Sequence, residues 1–479
     1  MNLKTVEKYS PILLILAAVV AFVAWQVHDP AKGLSMSVPG LDNRPPRDPN
    51  AAENVIIGEK FTVYDSVSEH MGSSGKWLQF RGEDSDNIDK STVRLIDAWA
   101  EGDPKILWEV ELGEGHAAPV IAEGKVYLLD YHEIKKADAL RCFSLETGQE
   151  LWRRWYNVHI KRNHGMSRTV PAIYQNFIVT VGPLGHVMCT DTQTGDLLWG
   201  IDLVKTYNAE IPFWYTGQCP LIDDGVAVIA PGGSSLLIGV DCATGEVVWE
   251  TPNPDAWKMS HASVMPMEFQ GVKMYVYAAI GGICGISADE GGPGKVLWKS
   301  AEFAPSVVAP SPLVLDKGRI FITAGYGAGS MLFQLNRQGD FFGVQVLQFF
   351  KPKDGMASEQ QTPIFYKGHI FSILPKDAGA LRNQFVCSTA DNCQQFVWTS
   401  GKTERFGLGP YLIADGKFFI LNDDGTLTIA RASTGQFELL DKRQIIQGQD
   451  AWGPMAMADG LMLLRDSKKM VCLDLRKKN

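Results

Sequence analysis

The stretch GVDCATGEVVWE at residues 239–250 has close copies at a nearly constant interval, and a repeat of this kind decides the architecture before any single residue does. Read physically, it is strand, tight turn, strand. Two short apolar runs, 238–241 and 247–249, flank Ala243-Thr244-Gly245, which supplies a glycine where the turn needs positive φ. SLETGQELW at 144–152 and DTQTGDLLW at 191–199 are near relatives. SADEGGPGKVLW at 287–298 is looser, and ASTGQFEL at 432–439 is worn.

The tryptophan marks Trp108, Trp152, Trp199, Trp249, Trp298 and Trp398 stand 44, 47, 50, 49 and 100 residues apart. The last gap is two periods, with Phe349 near the missing mark, and Phe437 adds an eighth. A period of this length holds four strands of about six residues with their turns, which is one propeller blade. Helical solenoids have similar periods, but GKVYLLD, NFIVTVG, GRIFITAG and GKFFILND are β-rich runs bounded by Gly and Asp, not 3.6-period faces. The expected fold is an all-β, eight-bladed β-propeller with an N-terminal transmembrane helix.

A second phasing gives the same count. Each blade opens with a small or polar residue just before a Pro or Val: His116, Arg168, Gly217, His261, Ala309, Gln360, Gly407 and Ala451 begin the eight copies. First strands line the channel of a propeller, so His116, Arg168, Gln218, His261, Gln360, Gln361 and Trp452 are the candidate binding residues at its mouth. The alternative is that they are turn residues bonding strand ends. KILWEVEL at 105–112 carries a Trp mark without strands of its own, and the last two strands, 461–464 and 470–475, lack one. The amino-terminal strand near Trp108 should therefore complete the last blade and remove an open edge.

Residues 11–27, PILLILAAVVAFVAWQV, are uncharged and follow Lys4 and Lys8. With no clean cleavage site after them, they read as an uncleaved signal anchor in the cytoplasmic membrane, a cleaved signal being the alternative, with 1–10 in the cytoplasm and the propeller on the periplasmic or extracytoplasmic side. Residues 28–75 read as a tether with a short strand, and 76–479 as the propeller. The net charge of −9 argues against a nucleic-acid partner. Arg153-Arg154 and Lys161-Arg162 are read as solvated loops. Among the eight cysteines, Cys142, Cys189, Cys242 and Cys472 read as buried small hydrophobes, and Cys387 with Cys393 as the one local pair close enough to bridge.

The pattern Asp-x-x-Thr-Gly-x-x-x-Trp, intact at 191–199 and 241–249, resembles the tryptophan-docking motif of the pyrroloquinoline quinone (PQQ) repeat propellers. HGMSRTVPAI, GHVMCTDTQTG and WKMSHASVMPMEF look most like PQQ-like propellers of planctomycete-type bacteria. The resemblance implies a quinoprotein-like fold over about 76–475, with the six tryptophans as structural docking residues. It points to two branches: dehydrogenases that bind PQQ with calcium at the channel mouth, and non-catalytic relatives such as the outer-membrane assembly propeller. The sequence departs from the first branch, because no two cysteines are adjacent and the acids Glu210, Asp255, Glu359 and Asp450 are scattered. No catalytic residue, metal site or cofactor is expected. The expected function is a non-enzymatic scaffold for an extracytoplasmic or membrane protein partner. A PQQ-dependent oxidoreductase is the alternative, and a carbohydrate or small-molecule binder, suggested by Phe213-Trp214-Tyr215 and Trp257, is a second alternative.

Overall fold

The Asp-x-x-Thr-Gly hairpins owe their shape to the aspartate. Asp241 Oδ1 accepts from the Ala243 and Thr244 amides at 3.0 and 2.8 Å and from the Thr244 hydroxyl at 3.0 Å, and Gly245 follows at φ 75°. Asp191 repeats the arrangement with Gln193 and Thr194. The side chain thus closes the turn that the glycine lets reverse.

In this computed structural model the described residues are 3–28, 55–64, 74–99, 105–289 and 292–477, with side chains in the first stretch described from 14 onward. The chain divides into two units, Met1–Arg44 and Pro45–Asn479. The second unit is built of eight antiparallel sheets. Blades 1 to 8 open with Val120–Ala122, Ala172–Tyr174, Leu221–Asp223, Met265–Phe269, Leu313–Val314, Ile364–Tyr366, Tyr411–Ala414 and Ala456–Ala458. These first strands touch those of neighbouring blades around the channel. Ile106–Glu111 pairs with Lys469–Asp474 and becomes the outer strand of blade 8, so the ring closes as the sequence implies.

Each tryptophan mark on an outer strand faces a small residue across the ladder. Trp108, Trp152, Trp199 and Trp398 oppose Cys472, Cys142, Cys189 and Cys387; Trp249 and Trp298 oppose Gly239 and Gly285. A Cβ on Gly239 would lie 2.1 Å from Trp249, so the small partner makes room for the indole. Five of the six indoles, all but Trp298, also reach the turn of the next blade. A Cβ on Gly148 would come within 2.6 Å of Trp108, one on Gly245 within 2.6 Å of Trp199, and one on Gly294 within 2.9 Å of Trp249. Trp108, Trp199 and Trp398 donate Nε1–H to Leu145, Cys242 and Ser433 carbonyls of that blade at 2.7, 2.9 and 3.1 Å. The pattern has exceptions. Trp298 Nε1 donates to Met274 Sδ of its own blade, and Trp152 Nε1 is buried without a partner.

Several expectations need correction. Phe437 is not an eighth mark: it packs on Trp398 at 5.8 Å, and the equivalent ladder position in blade 7 holds Asp441, opposite Ile429. Arg153 and Arg154 lie on the strand Glu150–Asn157, not a loop, and Arg154 is buried, donating to Gly195 O at 2.8 Å above the Phe61 ring. All eight cysteines are buried and free, so Cys387 and Cys393 form no disulfide. Of the tether, residues 29–54 and 65–73 lie outside the described residues. Lys60–Val63 within it forms a strand on the outer edge of blade 1.

Leu3–Val27 is an α-helix whose apolar side chains from Leu14 to Val27 are exposed. Among the described residues no helix is long and apolar enough to cross a membrane, so the expected transmembrane helix is not established by the structure.

One feature was not anticipated. Residues 77–89 run across one end of the channel. Trp77 bridges Ile121 in blade 1, Ile173 of blade 2 donates to Leu78 O at 2.8 Å, and Ile413 of blade 7 donates to Asn87 O at 2.9 Å. Arg81, 2% exposed, donates from Nη1 to Thr362 O and from Nη2 to Pro363 O in blade 6, both at 2.9 Å. The segment joins four blades and closes that end.

Candidate functional site: a one-ended cup in the channel

With one end sealed, the channel becomes a cup of about 370 Å³, its floor reached by Phe80. The connections entering the blades form its wall and place His116, Arg168, His261, Gln360, Gln361 and Trp452 around it. Of the seven candidate binding residues, Gln218 alone is not in the lining. Its amide donates to Ala230 O at 2.5 Å and accepts from Ala230 N at 2.9 Å, so it serves as a strand-end partner inside blade 3. Gln361 lines the cup but spends its amide on Leu408 O and Trp452 O at 3.1 and 3.0 Å.

Arg168 stands on the connection between blades 1 and 2. It donates from Nε to Trp214 O at 2.5 Å and from Nη2 to Asn163 and His164 carbonyls at 2.8 and 2.7 Å. Burial lowers its pKa to about 10, which leaves it charged at neutral pH. Among the described residues no carboxylate forms an ion pair with it.

His116 packs its ring 5.1 Å from Trp452, with Nε2 3.2 Å from His164 O and Nδ1 buried without a partner. Burial, then the Arg168 and Arg465 charges, push its pKa down to about 3; burial and Arg168 do the same for His261. Both imidazoles are therefore neutral at physiological pH.

Sequence reasoning missed Tyr326 and Asp423, and named Trp214 only among the aromatics of the carbohydrate or small-molecule alternative. Trp214 and Tyr326, from the connection before blade 3 and a hairpin of blade 5, stack at 5.9 Å and 7° on the rim. Their contact joins loops more than a hundred residues apart, which no local pattern records. Asp423 accepts from Trp452 Nε1 at 2.8 Å and from Leu408 N at 2.7 Å. Burial raises its pKa.

Glu359 is the one carboxylate in the lining. It sits 3.6 Å from Lys376, and burial raises its pKa. Glu210 and Asp255 pair instead with Lys258 and Lys299.

Residues 135–340 match the family model described as outer membrane protein assembly factor BamB. That span is less than half of the chain, and the eight sheets extend the same repeat around the ring. The chain is an eight-bladed propeller of PQQ-like repeats. No curated protein matches it in sequence. Among solved structures, this PQQ-like propeller is similar to BamB from Moraxella catarrhalis at 12% identity and TM-score 0.51, covering 78% of this chain and all of that one. It resembles a europium-containing methanol dehydrogenase at 11% identity and TM-score 0.55, covering 84% of this chain and 90% of the other. A quinohemoprotein alcohol dehydrogenase from Comamonas testosteroni is similar at 12% identity and TM-score 0.57, with 85% and 82% covered. At these identities the likeness speaks to the fold alone.

The residues of this cup can be weighed against the calcium and quinone that the fold brings to mind. Calcium takes six to eight oxygen ligands, and the lining offers one carboxylate, itself beside a lysine. Among the described residues no three His, Cys, Asp or Glu side chains gather to hold a metal ion. The lining has a single cysteine, Cys219, whose sulfur accepts from Val170 N at 3.2 Å. This donor set does not fit a calcium-bound quinone under a pair of cysteines.

Proposed function

We propose that this chain is a membrane-anchored, extracytoplasmic propeller that works as a non-enzymatic interaction module, presenting its open channel face to a protein partner. The observation that carries the reading is the sealed channel. Residues 77–89 close one end, so the connections between blades form a single recessed face at the other. The match of residues 135–340 to an assembly-factor family supports a scaffold role. The misfit of the donor set to calcium weighs against the quinoprotein alternative.

Anchoring is supported by the uncharged run at 11–27 and by the exposed apolar side chains of the helix, Leu16, Val20 and Phe22 among them. The test is photocrosslinking in cells, with a crosslinker at the rim residue Tyr326 or at Lys367 in the first hairpin turn of blade 6. The reading expects a discrete membrane-associated adduct from the rim position only. Equal adducts from both positions, or release of the chain by carbonate washing, would overturn it.

A further inference from the structure

We propose that the cup also binds a small carboxylate carried on an apolar or aromatic body, with Arg168 as the anion partner. The inference goes beyond the scaffold reading and does not need the protein partner.

A half-buried cation with no carboxylate partner carries a desolvation cost that an anion would offset. Arg168 is held by carbonyl oxygens through Nε and Nη2, while Nη1 makes no hydrogen bond and no carboxylate pairs with the group among the described residues. The backbone bonds fix the guanidinium in place and leave its charge unanswered. An incoming anion would meet a donor already oriented, which lowers the ordering cost of binding.

The rest of the lining sets the ligand class. His116 and His261 are neutral, so one full cationic charge faces the cup from this side; a dianion would carry a second charge into a mostly apolar space without compensation. Glu359, from the connection before blade 6 and so on the opposite wall of the ring, has Lys376 at 3.6 Å to offset it. Phe80 below, the stacked Trp214 and Tyr326 at the rim and Trp452 against His116 provide flat apolar surfaces for the ligand body. At about 370 Å³ the cup lies at the small end of ligand cavities.

This chemistry has two sources: a free aromatic acid, or the carboxy terminus of a peptide ending in an aromatic residue. Isothermal titration of the full chain in detergent would use indole-3-acetate, its uncharged amide, and a short phenylalanine-ended peptide with a free or an amidated carboxyl group. The expected result is saturable binding of at least one acid, with its amide at least tenfold weaker. Preference for indole-3-acetate names the free acid as source, and preference for the peptide names a partner's terminus. Arg168→Gln should weaken acid binding at least tenfold and abolish the preference for the acid over its amide.

Because Arg168 also holds the 163–165 connection, a second variant is needed. Tyr326→Glu adds a carboxylate at an exposed rim position and should weaken the acid several-fold more than its amide, a difference that loss of the Trp214 stack alone would not produce. Equal binding of acid and amide, no binding at millimolar concentration, or acid binding unchanged in both variants would overturn the proposal.

Discussion

The guanidinium of Arg81 donates to the carbonyl of Thr362, 281 residues further along the chain, at 2.9 Å. Its other nitrogens donate to Pro363, Ser85 and Asp86 carbonyls. One buried side chain thereby ties the segment that seals the channel to the residues leading into the first strand of blade 6.

Arg81→Met should therefore destabilise the propeller by about 3 kcal/mol or more, because buried carbonyls lose their donor. A thermal melt gives the size of the loss. Limited proteolysis gives its place, with new cleavage expected between 76 and 90. A variant that melts and resists protease like the parent would show that the seal does not depend on this residue.

Phe349 does not fill the missing tryptophan mark: the ladder position after the bulge, which Trp249 holds opposite Gly239, is taken in blade 5 by Gln348 opposite Leu332. Trp249 packs on Gly294 and stacks on Tyr275 of the next blade at 5.9 Å, whereas Phe349 is 52% exposed. Trp249→Ala should cost about 3 to 5 kcal/mol, and Phe349→Ala less than about 1 kcal/mol. Denaturant unfolding of the two variants side by side reads the difference, and equal losses would refute the inter-blade role given to the indole.

The period, the turn chemistry and the closure were legible in the sequence because each is local or repeated. The glycine of the turn and the Trp that follows it recur around the ring, and the Asp-x-x-Thr-Gly form stands intact at 191–195 and 241–245. The seal was not legible. Arg81 bonds main-chain carbonyls, which every residue carries, so nothing at 362 or 363 announces the contact. The cup was half legible: the phasing of blade entries placed His116, Arg168 and His261 in one ring, but it could not tell that Gln218 turns into its own blade. Nor could it show that Trp214 and Tyr326 meet over the rim.

Acid should weaken the fold through two histidines. His116 and His261 are held near pKa 3 by burial and titrate near 6.5 when unfolded, so between those values the unfolded chain binds protons that the folded chain refuses. Their contribution is complete above pH 6.5 and is lost as pH falls toward 3. Asp138 runs the other way: burial raises it to about 7, and its contribution is lost as pH rises from about 4 through 7. Comparison with a His116→Gln, His261→Gln double variant isolates the histidines. The parent should lose on the order of 1 to 3 kcal/mol more than the variant between pH 6.5 and 4. Parallel curves would contradict the assigned burial.

The thiols should be silent in the folded chain. Burial pushes Cys242, Cys284, Cys387, Cys393 and Cys472 up to about 12 and also raises Cys142, Cys189 and Cys219. A chromogenic thiol reagent should find essentially none in the native chain and eight after denaturation without reductant. Six would reveal a bridge, with Cys387 and Cys393 the first pair to examine.

The central claim is that this propeller binds and does not oxidise. PQQ titrated into the full chain with calcium and with chelator, followed by calorimetry and by dye reduction in the presence of an alcohol, tests it most directly. The account expects no calcium-dependent component and no dye reduction, since the cup offers a single carboxylate, beside a lysine. Saturable binding that requires calcium, accompanied by alcohol-dependent dye reduction, would contradict it.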